Sequence, residues 1–198
     1  MEKNLKRICL ANAVLAVLEF YAVGFSLWQH GFQMLQYYTE LSNLFSGFAS
    51  LYMVMQIRKE NRVTAEAKGF RYIALCLTTV TFLVVITVLG PMYGYGWILF
   101  AGQMLWTHTL CPILSALIFL FLERRPKLEK KQIAYTLVPT LIYGIVAVIG
   151  NLTHVIVGPY PFLMVLDQPW WASVLWFIAI LAGAYALAWG YYRWDQTH

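Results

Sequence analysis

The sequence predicts an all-α polytopic membrane protein: a six-transmembrane-helix bundle with both termini cytoplasmic. Hydrophobic residues make up 61% of the 198 residues and charged residues only 12%, and apolar stretches recur at the length that crosses a bilayer. A typical soluble domain is about 45–50% apolar and about 25% charged. The composition therefore excludes a soluble globular domain, and the abundance of apolar residues excludes a disordered chain.

Six apolar stretches predict the helices of a single integral-membrane domain over residues 1–198. The predicted spans are residues 8–28, 35–56, 72–89, 103–122, 133–150 and 171–191. The first span follows a basic start, as a signal peptide would, but it is long and carries Glu19, so we expect a helix of the protein. Only short connections remain outside the helices, and any function is therefore expected within the bundle.

The positive charge predicts the topology. The formal net charge is +5, and the 14 lysines and arginines precede helix one, follow helix six, or lie between helices two and three and between helices four and five. The group between helices two and three is Arg58, Lys59, Arg62, Lys68 and Arg71. Six helices put all these segments on one side, and basic segments stay in the cytoplasm. The charge thus predicts a cell-membrane protein that contacts membrane lipids, with no nucleic-acid partner.

Polar side chains inside the apolar spans are the candidates for function, because they are costly there. Thr39 and Asn43 lie one turn apart near the outer end of helix two. His108 lies one to two turns from the outer end of helix four, and Pro112 four residues later is expected to kink the helix at the histidine. Plainer interpretations remain open: Thr39 as a helix cap, small polar residues as interhelical packing, and His108 as a satisfied structural histidine.

The other polar candidates also fall toward the outer side. Glu19 lies in the outer half of helix one, His154 follows helix five, and Asp167 is in the last outer connection. The apolar, turn-prone residues 157–163 are expected either to fold back as a lid or to lie at the interface, pinned by aromatic side chains. Cysteines and histidines lack metal-type spacing, so the sequence predicts no metal and no cofactor.

Three stretches resemble motifs of the androgen-induced membrane protein family, in the same order and at similar spacing. They are YTELSNL at residues 38–44, WTHTLCP at 106–112, and His154 followed by GPYPFL at 158–163. Characterised animal members are multi-pass hydrolases of fatty acid esters of hydroxy fatty acids that use a threonine nucleophile and a histidine. The resemblance implies these roles for Thr39 and His108. The Ser42-Asn43 pair is similar to the bacterial six-helix branch.

The resulting hypothesis is an intramembrane hydrolase that takes a lipid ester from the outer leaflet. A threonine hydroxyl needs an adjacent base, and His108 would take the proton of Thr39. Asn43 is the candidate donor to the oxyanion, because amides serve this role elsewhere. Glu19 or Asp167 is the candidate for orienting the base.

Two other functions remain open. A small transporter or lipid-binding membrane protein without hydrolase activity fits the prolines in two helices and the buried polar residues. A haem or metal protein would use His108 and His154, which lack the usual ligand spacing. The oligomeric state is not predicted.

Overall fold

The computed structural model describes residues 2–198 as helices joined by turns and loops, with no strand among them. The α-helices are α1 (Lys3–His30), α2 (Tyr38–Glu60), α3 (Ala65–Val84), α4 (Gly90–Tyr93), α5 (Tyr95–Phe100), α6 (Cys111–Phe121), α7 (Gln132–Leu152) and α8 (Trp170–Thr197). Two π-helical turns, Val85–Leu89 and Leu105–Leu110, join α3 to α4 and lead into α6. The all-α prediction is confirmed.

Four helical stretches among residues 2–198 are long and apolar enough to cross a membrane. They are Lys3–His30, Ala65–Tyr93, Gln132–Leu152 and Trp170–Thr197, and they correspond to the predicted first, third, fifth and sixth spans. The second and fourth predicted spans are also helical, but polar residues interrupt the apolar character of α2, and Leu105–Phe121 is shorter. Large apolar side chains such as Leu10 and Val17 are 67% exposed, which is compatible with a lipid-facing surface.

The start of α3 corrects the placement of two basic residues. Lys68 and Arg71, expected in a basic loop, lie within α3, and both side chains are buried. The helix begins early because Thr64 caps it: its Oγ1 accepts a hydrogen bond from the backbone N–H of Ala67 at 3.2 Å. Glu66 in the first turn adds a favourable charge at the helix N-terminus.

Both buried cations are paired with acids that are distant in sequence. Lys68 forms an ion pair with Asp195 of α8. The Nε atom of Arg71 lies 3.3 Å from Oε1 of Glu123, which also accepts a hydrogen bond from Nδ2 of Asn12 at 2.7 Å. These pairs join the helices at the end of the bundle where α1 and α3 begin and where α2, α6 and α8 end, here termed the basic end.

The loop before α8 closes the opposite end of the bundle. Tyr160, Phe162 and Leu163 are buried among apolar side chains of α2, α3, α7 and α8. Of the predicted stretch 157–163, residues 158–163 therefore fold back as a lid, whereas Val157 stays exposed. Oδ1 of Asn151 accepts a hydrogen bond from the backbone N–H of Val165 at 2.9 Å and fixes the loop to the end of α7.

The stability of the basic end should depend on the buried Arg71–Glu123 pair. We expect Glu123→Ala to lower the free energy of unfolding by about 3–5 kcal/mol, because the buried Arg71 loses its ion-pair partner. Thermal unfolding of protein purified in detergent measures this change. The matched control is Glu129→Ala, which breaks the exposed Glu129–Lys131 pair and is expected to have no measurable effect. Equal melting temperatures for the two variants would contradict the role of the buried pair.

Candidate functional site

A cavity of about 630 Å³ opens at the end of the bundle opposite the basic end. It lies between the end of α1, the start of α2, the short helices α4 and α5, the second π-helical turn and the lid. Its polar lining includes His30, Thr39, Glu40, Gln103, His108 and Tyr160. Thr39 and His108, the two residues predicted to be catalytic, therefore both line this cavity.

Thr39 is the second residue of α2 and is 5% exposed. Tyr37 occupies the cap position, so Thr39 is not the helix cap. The Oγ1 atom of Thr39 lies 3.2 Å from the hydroxyl of Tyr160. The same hydroxyl accepts a hydrogen bond from the backbone N–H of Thr39 at 3.2 Å, an N–H that has no acceptor within its own helix. Tyr160 thus contacts both the side-chain hydroxyl and the backbone N–H of Thr39.

His108 lies in the π-helical turn Leu105–Leu110 and is 7% exposed. Pro112 has no N–H to bind the carbonyl of His108, and the expected irregularity takes the form of this turn. π-Helical turns often occur at functional sites. The Nδ1 atom of His108 lies 2.8 Å from the carbonyl oxygen of Ile98 in α5. A carbonyl only accepts, so Nδ1 carries a proton, and in the neutral ring Nε2 is the unprotonated nitrogen.

Asn43 fixes α2 beside the segment that carries His108. Its Nδ2 donates to the carbonyl oxygen of Thr39 at 2.8 Å and to that of Thr107 at 3.1 Å. The helices predicted as second and fourth are therefore neighbours. With both amide hydrogens engaged and the side chain outside the cavity lining, Asn43 offers no free donor to an oxyanion. Its role in this structure is to position the two segments.

The remaining sequence candidates lie away from the cavity. Glu19 is buried on α1, and neither of its carboxylate oxygens has a hydrogen-bond partner among residues 2–198. His154, with φ of 58°, and Asp167 are exposed in the loop before α8. None of the three lines the cavity, and the group that orients the His108 ring is the Ile98 carbonyl.

A second, apolar cavity of about 70 Å³ lies between α2, α3, α7 and α8. Its lining includes Val80, Val148, Phe177 and Ile180. Thr39, Tyr160 and Leu89 line both cavities. Thr39 therefore lies at the boundary between a wide cavity with polar groups and a narrow apolar pocket.

Sequence reasoning missed the parts played by Tyr160 and Glu40. Burial raises the pKa of Tyr160 to about 12, so its hydroxyl keeps its proton at neutral pH and can donate. The apolar character of residues 157–163 indicated a lid but not which side chain would reach α2. From the sequence, Glu40 is an ordinary acid in the first turn of a helix. In the structure it lines the cavity.

No family model, curated protein or solved structure matches the chain. The resemblance to the androgen-induced membrane protein family therefore rests on the three sequence stretches. Within residues 2–198, no cluster of three or more histidine, cysteine, aspartate or glutamate side chains is arranged to hold a metal ion.

Removal of the Asn43 amide should destabilise the packing of α2 against the segment that carries His108. We expect Asn43→Leu to lower the free energy of unfolding by about 1–3 kcal/mol, because the Thr107 carbonyl loses its side-chain donor and the link between the two segments is lost. Thermal unfolding in detergent measures the change. The control is Ser173→Ala, since the buried Ser173 hydroxyl has no partner among the described residues and its loss should be neutral. An unchanged melting temperature for Asn43→Leu would disprove the bracing role.

Proposed function

We propose that the protein is an intramembrane hydrolase of lipid esters, such as fatty acid esters of hydroxy fatty acids, with Thr39 as nucleophile and His108 as base. The observation that carries the proposal is that both buried side chains line one cavity, with the proton of His108 directed to a carbonyl and Nε2 left free. An activated hydroxyl needs such a base nearby. The apolar pocket beside Thr39 offers space for hydrocarbon.

The proposal includes a cell-membrane topology with six spans, cytoplasmic termini and the cavity toward the outer face. The polar residues that lower the hydropathy of α2, among them Ser42, Asn43, Ser46 and Ser50, are buried inside the bundle, and a span can carry such residues when they face other helices. Apart from Lys68 and Arg71, the basic residues lie outside the helices or near their ends at the basic end. This bias supports a cytoplasmic basic end.

The chemistry proceeds by acyl transfer in two steps. Nε2 of His108 takes the proton of the Thr39 hydroxyl as Oγ1 attacks the ester carbonyl carbon. The bond to the alcohol oxygen breaks, and the alcohol leaves with the proton from His108. Water, deprotonated by His108, then attacks the acyl-threonine, releases the fatty acid and restores both side chains.

Tyr160 supplies the oxyanion donor in this mechanism. Its hydroxyl is within hydrogen-bond distance of Oγ1 and of the N–H of Thr39. As the carbonyl oxygen of the substrate becomes negative, the Tyr160 hydroxyl rotates to donate to it, and the Thr39 N–H, no longer bound to Tyr160, is a second donor. The Oγ1 atom is then released to His108, since catalytic hydrogen bonds often form only in the substrate complex.

A small transporter or lipid-binding protein without hydrolase activity is the second candidate, and one observation favours it. Asn12, Glu19 and Ser26 lie seven residues apart on α1, and all three are buried. A spacing of about two turns puts them on one face, so polar groups continue from the cavity toward the basic end. Uptake into proteoliposomes without ester turnover, lost in Glu19→Gln, would favour this function.

Removal of either reacting group should abolish hydrolysis. We expect Thr39→Ala and His108→Ala to reduce kcat for a branched fatty acid ester by about 10³-fold or more, because neither group acts without the other. Release of fatty acid by purified protein in detergent measures this.

Matched controls are available in the same chain. Thr109→Ala removes the threonine next to His108, whose hydroxyl donates to the Leu99 carbonyl. His154→Ala removes an exposed histidine. Both variants should retain activity. Activity that survives in both Thr39→Ala and His108→Ala would disprove the proposed catalytic roles of Thr39 and His108.

Loss of the Tyr160 hydroxyl should slow the chemical step. We expect Tyr160→Phe to lower kcat by about 10²–10³-fold with little change in KM, as for removal of an oxyanion donor. The control is Tyr191→Phe, which loses a hydrogen bond to Thr79 and lies outside both cavities. Steady-state kinetics separates kcat from KM. A rise in KM alone would assign Tyr160 to substrate binding and contradict the oxyanion role.

A further inference from the structure

A groove of about 930 Å³ lies at the basic end of the bundle. Three segments form it: the start of α1, the connection between α2 and α3, and the end of α6 with the residues that follow it. We term it the arginine groove, after Arg62, Arg124 and Arg125 in its lining. It shares no lining residue with the cavity at Thr39, so the proposed hydrolysis does not account for it.

Positive charge predominates in the arginine groove. Its lining contains the three arginines and one acidic residue, Glu2. The arginines are exposed, and none of them forms an ion pair with an acidic side chain among residues 2–198. An arginine keeps its charge in a protein, and its planar guanidinium donates paired hydrogen bonds that match the oxygens of a phosphate. The groove therefore presents three fixed charges and their donors to an anion.

The arginines differ in this respect from the buried cations of the basic end. Lys68 is paired with Asp195, and Arg71 is paired with Glu123. Glu123 directly precedes Arg124, and its buried carboxylate also binds Nδ2 of Asn12. The chain that carries two of the groove arginines is thus anchored inside the bundle, while the arginines themselves stay accessible.

Apolar side chains lie beside the arginines in the same groove. Ile8 is 3% exposed and Leu5 and Leu122 are half-buried, whereas Phe121 at the end of α6 is 54% exposed. A small hydrophilic anion would leave this apolar surface uncovered. A molecule with an anionic end and a hydrocarbon part would use both halves of the lining.

We propose that the arginine groove binds one anionic lipid through its phosphate group. The phosphate lies among Arg62, Arg124 and Arg125, and the hydrocarbon packs against Leu5 and Phe121. Basic pockets between membrane helices on the cytoplasmic side are typical sites for such headgroups. The lipid is a bound component of the protein and not the ester substrate, because the groove and the cavity at Thr39 lie at opposite ends of the bundle.

Binding to the unaltered protein in detergent tests the proposal, with native mass spectrometry as the measurement. The probes are dioleoyl phosphatidic acid, dioleoyl phosphatidylcholine, which has the same chains but no net charge, and glycerol 3-phosphate, which has the phosphate but no chains. We expect phosphatidic acid to bind with a Kd lower by about tenfold or more than that of either other probe. Equal affinity for the two lipids would overturn the proposal. Equal affinity for phosphatidic acid and glycerol 3-phosphate would assign the groove to a free phosphate and overturn the lipid.

A matched pair of triple variants locates the binding. One variant removes the three charges of the groove: Arg62→Gln, Arg124→Gln and Arg125→Gln. The control removes the same charge at exposed positions outside the groove: Arg58→Gln, Lys130→Gln and Arg193→Gln. We expect the first variant to lose the preference for phosphatidic acid and the control to retain it. Equal losses in both would attribute the binding to net charge and contradict a site in the groove.

The contact with hydrocarbon is tested at Phe121. We expect Phe121→Ala to weaken binding of phosphatidic acid by about three- to tenfold, because apolar contact is lost, and to leave binding of glycerol 3-phosphate unchanged. The control is Phe100→Ala, which removes a side chain that is 61% exposed on α5. An unchanged affinity in Phe121→Ala would contradict the hydrocarbon contact. These measurements concern binding alone, so their outcome is independent of whether the protein hydrolyses esters.

Discussion

Polar side chains inside this apolar bundle have little water to bind, so hydrogen bonds between segments strongly influence how the helices pack. Asn43 binds the carbonyls of Thr39 and Thr107, and Arg71 pairs with Glu123. Dispersion between apolar helices is not directional, whereas these bonds specify which residues face each other. The position of Thr39 relative to the His108 segment is therefore set by the same kind of interaction that joins the helices at the basic end.

The cavity arises where the regular helical backbone is interrupted. The turn Leu105–Leu110 precedes Pro112, which cannot continue the hydrogen bonds of the preceding turn. The chain between the two π-helical turns forms the short helices α4 and α5 and brings the Ile98 carbonyl to His108. The lid adds Tyr160 from the far side. Apolar helices supply the scaffold, and irregular segments supply the groups that approach Thr39.

The sequence predicts local features well and distant partners poorly. Apolar length predicts where helices occur, and Pro112 predicts an irregularity at His108. The burial of Lys68 could not be predicted, because a lysine at the start of a helix reads like one in a loop until Asp195, 127 residues away, is placed beside it. For the same reason the contact between Tyr160 and Thr39, which are 121 residues apart, could not be predicted. The amide of Asn43 looked free because its acceptor on Thr107 belongs to another segment.

The group that orients His108 bears on the electrostatics of the proposed reaction. A carboxylate in that position would stabilise the imidazolium but would itself be costly in a buried space. The Ile98 carbonyl fixes the ring without a net charge. In the proposed mechanism, positive charge on His108 is therefore transient and balanced by the oxyanion at Tyr160.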